Sequence, residues 1–261
     1  MKLKGQVAIV VGGAQGIGTA IALTFAEEGA NIALVDIEPI KSELEEACQK
    51  IEQKGRKAIA IVCDATDEKQ VNKMVEETIQ KLGRIDILVN SAGFRGPTVP
   101  VQDIDQQEWD KVIDINLKAP FLCCKAVLKQ MIKQQSGSIV SIGGTAAKEG
   151  LPLRGSLNAA KWGLIGLTQT IAKESGPLGI RANAICPGGV ADERLLPTLE
   201  ARAKTLGVTV KQVEKDFLEK APLRKWASQE EIARAALFLA SSDSSHTTGE
   251  SLNVSGGEIM Y

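Results

Sequence analysis

The sequence predicts an α/β fold: a doubly wound, seven-stranded parallel sheet with helices on both faces. Three observations predict it. Seven short apolar runs, Val7–Val11, Ile32–Val35, Ala58–Val62, Ile87–Val89, Ser138–Ile142, Arg181–Ile185 and Ser251–Val254, alternate with segments of helical rhythm. The first run opens directly into a cluster of glycines. The chain has 261 residues, 44% of them hydrophobic, which suits one soluble domain with a full core, 1–261. The crossovers between parallel strands should be right-handed. No internal repeat, linker or low-complexity segment interrupts the pattern.

Composition excludes several functions. The 31 basic and 32 acidic residues nearly balance, so nothing supports binding to nucleic acid. No apolar run reaches the ~18–20 residues that span a bilayer. His246 is the only histidine, which rules out a His-rich metal site, and no metal is expected. The five cysteines (Cys48, Cys63, Cys123, Cys124, Cys186) show no zinc spacing, and no signal peptide opens the chain, which reads as reduced thiols in a cytoplasmic protein.

Taken in order, Val7–Val11 is apolar throughout, the pattern of a strand buried on both faces. Gly12, Gly16 and Gly18 follow as G-x-x-x-G-x-G, and Thr19–Glu28 continues as a helix. Strand, glycine turn and helix N-terminus together make an anion site. Glycine lets the backbone approach a pyrophosphate, whose charge the free N–H groups and the helix dipole favour. The spacing departs from G-x-G-x-x-G, and a tight turn alone would also ask for glycine. The strand before and the helix after favour dinucleotide binding.

Ile32–Val35 ends in Asp36, about 20 residues beyond the glycines, where a carboxylate accepts hydrogen bonds from an adenosine ribose. It would repel a 2′-phosphate, so NAD is expected over NADP. A turn-capping Asp is the plainer alternative. Ala58–Val62 leads to Cys63-Asp64-Ala65-Thr66, and Ile87–Val89 to Asn90-Ser91-Ala92-Gly93. Both stretches lie at carboxyl ends of strands, where open α/β sheets bind ligands.

Together these motifs resemble the short-chain dehydrogenase/reductase family over the whole chain. The resemblance is carried by Gly12, Gly16 and Gly18, by Asp64, by Asn90-Ser91-Ala92-Gly93 (with Ser91 in the second place), by Asn116 in Ile115-Asn116-Leu117, by Cys186-Pro187-Gly188, and by Thr248–Gly257. It implies a single Rossmann-type domain. It implies a cofactor set of Gly12, Gln15, Gly16, Ile17, Gly18, Asp36, Ile37, Asp64, Ala65, Asn90, Ala92, Gly93, Lys161, Pro187, Gly188 and Val190. It also implies a homotetramer, or a heterotetramer with a paralogue, through Ala119–Lys133, the helix carrying Lys161, and Leu252-Asn253-Val254. Val11 stands where the first motif usually opens with Thr.

The resemblance fails at the chemistry. The family's reaction uses a Ser, a Tyr as acid/base, and a Lys four residues after the Tyr, with an Asn behind them. Lys161 and Asn116 match. Leu157 stands four residues before Lys161, and Gly144 stands thirteen before that, so neither hydroxyl is present. The only tyrosine, Tyr261, is the last residue. Thr145 and Ser141 are possible stand-ins, and Lys161 could itself move a proton if burial lowered its pKa. Lys148, Glu149, Arg154 and Asn158 stand on the loop and helix start expected to face the cleft, where they could replace the missing groups, but solvated loop charges and a helix cap are the plainer reading. Residues 191–228 are expected to form a substrate lid, from which Arg194, Arg202, Arg224 and Lys225 could meet an anion. An ordinary exposed helix is the plainer reading of that stretch. His246 is read as non-catalytic.

The expected function is an NAD(H)-dependent oxidoreductase acting on an alcohol or carbonyl, a small-molecule substrate, through an atypical active site. A silent nucleotide-binding subunit paired with an active paralogue is one alternative. A non-redox enzyme reusing the pocket, a lyase or an epimerase, is the other.

Overall fold

The computed structural model describes residues 1–261. Its seven strands are β1 (Val7–Val11), β2 (Asn31–Asp36), β3 (Ala58–Val62), β4 (Ile87–Asn90), β5 (Gly137–Ile142), β6 (Ile180–Pro187) and β7 (Ser251–Val254). All pair in parallel, in the order β3-β2-β1-β4-β5-β6-β7. The order reverses between β1 and β4. Strands on either side of that point send their connections to opposite faces, which opens a crevice at their carboxyl ends.

The helices are α1 (Gly16–Glu27), α2 (Lys41–Glu52), α3 (Glu68–Leu82), α4 (Gln106–Ile113), α5 (Ala119–Gln134), α6 (Gly155–Ser175), α7 (Leu195–Leu206), α8 (Val210–Lys220) and α9 (Gln229–Ala240). Alternation along β1 divides two cores. Ala8 and Val10 face α1, α2 and α9, packing with Ile21, Phe25 and Ile232. Ile9 and Val11 face α3, α5 and α6, packing with Met74, Val127 and Ile171. A strand apolar at every position is what a sheet covered on both faces requires.

Several boundaries move from expectation. The first helix begins at Gly16 and not at Thr19, because Gly12 and Gly16 take positive φ (80° and 57°) and complete the turn within the glycine motif. β6 runs on to Pro187, because β7 continues to pair with it there. Pro187 lies beyond the last residue paired with β5, so its missing N–H breaks no ladder on that side.

Residues 191–228 form a helical hairpin, α7 and α8. It carries its own small core of Leu199, Ala203 and Val213, flanked by Leu195, Phe217 and Trp226. The hairpin is tethered where Val190 bridges Ala227 and where the Trp226 ring lies on Gly189, so closely that a Cβ there would sit 2.1 Å from it. No helix is long and apolar enough to cross a membrane.

Candidate active site

Two adjoining cavities fill the crevice at the strand-order reversal and share Ile17, Ser91, Gly93, Phe94 and Arg194. The larger, of about 880 Å³, is lined by Gly12, Gln15, Ile17, Asp36, Ile37, Asp64, Ala65, Ala92 and Gly93 among others. The smaller, of about 230 Å³, is lined by Asn116, Gly144, Thr145, Leu157, Lys161, Pro187, Gly188 and Val190 among others.

Beside the larger cavity, missing side chains let the backbone pack closely. A Cβ on Gly12 would lie 2.4 Å from the Ala92 nitrogen, and one on Gly18 would lie 1.9 Å from the Gly12 carbonyl oxygen. Neither clash can relax, since both partners are backbone. Gly18 therefore lets α1 pack against the turn, and Gly16 and Gly18 shape the cavity from behind without lining it. Asp36 lies at the rim, with Oδ2 accepting from the Ala14 N–H (3.1 Å) and Oδ1 from the Ile37 N–H (3.0 Å). It thus caps the glycine turn while presenting a carboxylate to the cavity. Burial raises its pKa, and the two N–H donors oppose the rise. Asp64 closes a tight turn by accepting from the Thr66 N–H and hydroxyl (2.9 and 2.7 Å).

Asn90 is buried and lines neither cavity. Its amide donates to the Ser141 hydroxyl (3.2 Å), which pins β4 to β5. The same bond keeps Ser141 in the sheet and away from the cleft, so Ser141 is no replacement for a missing hydroxyl.

At the smaller cavity, Asn116 sits in a π-helical turn, Asp114–Lys118, between α4 and α5. Its Nδ2 donates to the carbonyls of Phe94 (2.7 Å) and Val112 (2.9 Å), and its Oδ1 accepts from the Phe94 N–H (3.3 Å). Such turns recur at functional sites. Lys161 reaches from α6, and its Nζ donates to the Ile142 carbonyl (2.8 Å). Burial lowers its pKa to about 8; Cys186 opposes the fall and Arg194 adds to it. Thr145 lines the cavity with a hydroxyl that makes no hydrogen bond to the rest of the chain. Gly144 has φ 99° and ψ 171°, a conformation open essentially to glycine alone.

The charges around this cavity differ from expectation. Arg154 is not solvated. It is only 8% exposed, and its Nη1 donates to the carbonyls of Arg95, Gly96 and Pro97 (3.4, 3.2 and 3.4 Å). Asn158 is not a free cap, because its side chain latches the 146–151 loop through Leu151 N–H, Ala146 O and Glu149 O. Arg194 and Arg202 line the cavity, as does Arg95, which the sequence analysis did not single out. Its signal was its place directly after Asn90–Gly93, at a strand's carboxyl end. Arg224 and Lys225 lie outside the cavity, beyond the hairpin. Lys148 holds the C-terminus, donating to the Tyr261 carbonyl (3.0 Å), and neither Lys148 nor Tyr261 lines the cleft. His246 also lies away from it, beside Arg181. No group of three or more His, Cys, Asp or Glu is placed to hold a metal.

Comparison with known proteins agrees with this architecture. The family model described as enoyl-(acyl carrier protein) reductase matches residues 12–258. The 3-oxoacyl-(acyl-carrier-protein) reductase FabG of Thermotoga maritima is 36% identical over 260 residues, covering 100% of both chains. A short-chain dehydrogenase/reductase of Armillaria gallica is 36% identical over 258 residues, covering 98% of this chain and 97% of its own. Among solved structures, NAD+-bound xylitol dehydrogenase superposes with TM-score 0.95 at 36% identity, covering 98% of this chain and 100% of its own. Levodione reductase superposes with TM-score 0.93 at 31% identity, covering 99% and 100%. On sequence, fold and the cleft at the strand-order reversal, the chain belongs to the short-chain dehydrogenase/reductase family of oxidoreductases.

Proposed function

We propose that this protein is an NAD(H)-dependent oxidoreductase that interconverts an alcohol and a carbonyl through an atypical proton-transfer site. The observation that carries the reading is one continuous cleft, with the Asp36 carboxylate and the glycine turn at one end and Lys161 at the other. The residues fit a dinucleotide. Gly12 and Gln15 bring the turn to the cavity wall at the N-terminus of α1, where a pyrophosphate would sit, and Asp36 supplies the acceptor that a ribose diol needs and a 2′-phosphate does not tolerate. The proposed cofactor set is the one named from the sequence. Gly16, Gly18 and Asn90 act in it by shaping the site and the rest by lining it.

Bound NAD would accept or supply the hydride. The chain must then handle the proton. Leu157 and Gly144, at the positions where the family keeps Tyr and Ser, offer no group to do so. Lys161 does, with an ammonium whose burial has weakened its hold on the proton. Thr145 offers a free hydroxyl on the adjoining wall and can donate to a developing oxyanion. Asn116 positions the Phe94 backbone opposite them.

The test begins with fluorescence titration of the purified chain by NADH and NADPH, followed by a turnover screen of carbonyl substrates. NADH should bind more tightly, and Asp36→Ala should narrow the difference about tenfold, within the range that one charged hydrogen-bond partner contributes. Tighter binding of NADPH by the unaltered chain would overturn the assignment of NAD. NADH binding without turnover on any substrate would point to the silent-subunit alternative.

A homotetramer, or a heterotetramer with a paralogue, belongs to the same proposal. Trp109, Phe121 and Trp162 are exposed on α4, α5 and α6, and β7 leaves a sheet edge open. Light scattering at micromolar concentration should give four chains, and a monomer would refute it. A cytoplasmic location is proposed with it, supported by five cysteines that are all free and buried.

A further inference from the structure

Four guanidiniums converge on the smaller cavity from three separate segments. Arg95 comes from the loop after β4, Arg154 from the residue preceding α6, and Arg194 and Arg202 from the start and middle of α7. Only Arg194 has a carboxylate partner, Asp192, which accepts from its Nε and Nη2 (3.0 and 2.6 Å). Arg95 donates to the Thr198 hydroxyl. Arg202 donates to the Pro152 carbonyl (3.3 Å) and lies 5.4 Å over the Phe217 ring. No acid lies within ion-pair distance of Arg95, Arg154 or Arg202. Glu258, the cavity's other carboxylate, is itself held toward the neutral form, by burial first and by Glu149 second.

Arg154 is the critical member. It is 8% exposed, its contacts all run through Nη1, and its Nε and Nη2 make no hydrogen bond. Burial and the neighbouring Arg95 and Arg202 bring its pKa down to about 10, so the site strains against its own charge. Buried cations without a counter-charge are costly, and planar guanidiniums match the two oxygens of an oxyanion.

We propose that the substrate is a small anion whose carboxylate or phosphate group is clamped by Arg154, with Arg95 and Arg202 beside it, while its reacting carbon faces Lys161. This rests on the oxidoreductase reading for the second half of the sentence only; the clamp stands or falls by itself.

The experiment is calorimetric titration of the full chain, its dinucleotide site filled with NADH, using inorganic phosphate and oxalate in separate arms at fixed ionic strength. At least one probe should bind, and Arg154→Met and Arg202→Met should each weaken it by about tenfold or more, as loss of a charged hydrogen bond implies. Arg154→Lys should recover part of the affinity. Arg224→Met, outside the cavity, should change nothing. Stronger binding of phosphate would assign a phosphorylated substrate, and stronger binding of oxalate a carboxylate. Because Arg154 also holds the 95–97 loop, Arg202→Met provides the reading if Arg154→Met fails to fold.

Absence of binding by both probes, or equal weakening in Arg224→Met, would overturn the clamp. The oxidoreductase reading is judged separately, by NADH titration and by turnover. NADH binding and turnover of neutral ketones without anion binding would sink the clamp alone. Anion binding that survives where NADH fails to bind would sink the redox reading alone.

Discussion

The two ends of the cleft are built by opposite means. The end proposed for the dinucleotide is made of main chain: glycine turns, strand ends, and two carboxylates each tied to backbone N–H groups. The end that holds Lys161 is made of long side chains, Lys161 and the arginines, carried by segments far apart in sequence and covered by a hairpin with a three-residue core. A site made of backbone tolerates almost no change, because its clashes are with atoms that cannot move. A site made of side chains can exchange its chemistry while the fold stands. That asymmetry predicts that change is better tolerated at the side-chain end than at the main-chain end.

The largest expected effect falls at the side-chain end. Lys161→Met should lower turnover by ~10²–10⁴-fold, the usual contribution of a positioned acid or base. The unaltered enzyme should show the matching pH dependence. On the proposed role the Lys161 ammonium would donate the proton during carbonyl reduction, so reduction should fall as pH rises through about 8, while alcohol oxidation, which would need the neutral amine, should rise. A pH-rate profile flat across that range would remove Lys161 from proton transfer.

At the main-chain end, Gly18→Ala should be the harsher test of geometry. Its Cβ would stand 1.9 Å from the Gly12 carbonyl oxygen, so α1 must lift from the turn. Stability should fall by ~1–3 kcal/mol, as overpacking costs. NADH affinity should fall further than that loss explains, as titration of the folded fraction would show. Unchanged NADH affinity would break the contrast drawn between the two ends.

The smallest effect sharpens the comparison at the seam between the ends. Gly144 has a backbone of the main-chain kind inside the side-chain region. Gly144→Ser should cost ~1–3 kcal/mol, because φ 99° with ψ 171° is closed to serine, whereas Leu157→Tyr on the helix carries no such strain. Thermal melts of the two single variants measure the difference. An unstrained Gly144→Ser protein would mean that the loop rearranges freely.

The glycine motif was legible because glycine spacing reports the path of the backbone directly. β1 was legible because a sheet covered on both faces demands an unbroken apolar run, whereas β5, β6 and β7, which carry Ser138, Arg181, Asn183 and Asn253, were legible only from the apolar residues between those polar ones and from their place between helical segments. Asp36 was found by its position at a strand end. Arg95 and Arg154 were not legible as a pair. They stand 59 residues apart, and Arg154 looks like any solvated loop charge until α6 turns it inward. Arg224 and Lys225 fail for the converse reason, since being charged and near a lid says nothing of which way a hairpin faces. Ser141 was read as a stand-in hydroxyl, yet it accepts from the Asn90 amide inside the sheet and lines neither cavity.

The π-helical turn at Asp114–Lys118 has a consequence of its own. It holds one more residue than the α-helical ladder on either side would accept, so it behaves as a length marker fixed in the chain. Deleting a single residue there would bring the α4 and α5 ladders into one register. It would also swing everything on one side by about 100° about the axis, the angle of one helical step, although Pro120, which lacks an N–H, would still interrupt the ladder. Asn116 would then leave Phe94, and the apolar face of one helix or the other would leave the core. This stretch is therefore far less tolerant of a change in length than of a change in letter, and among relatives of this chain alignment gaps should avoid it.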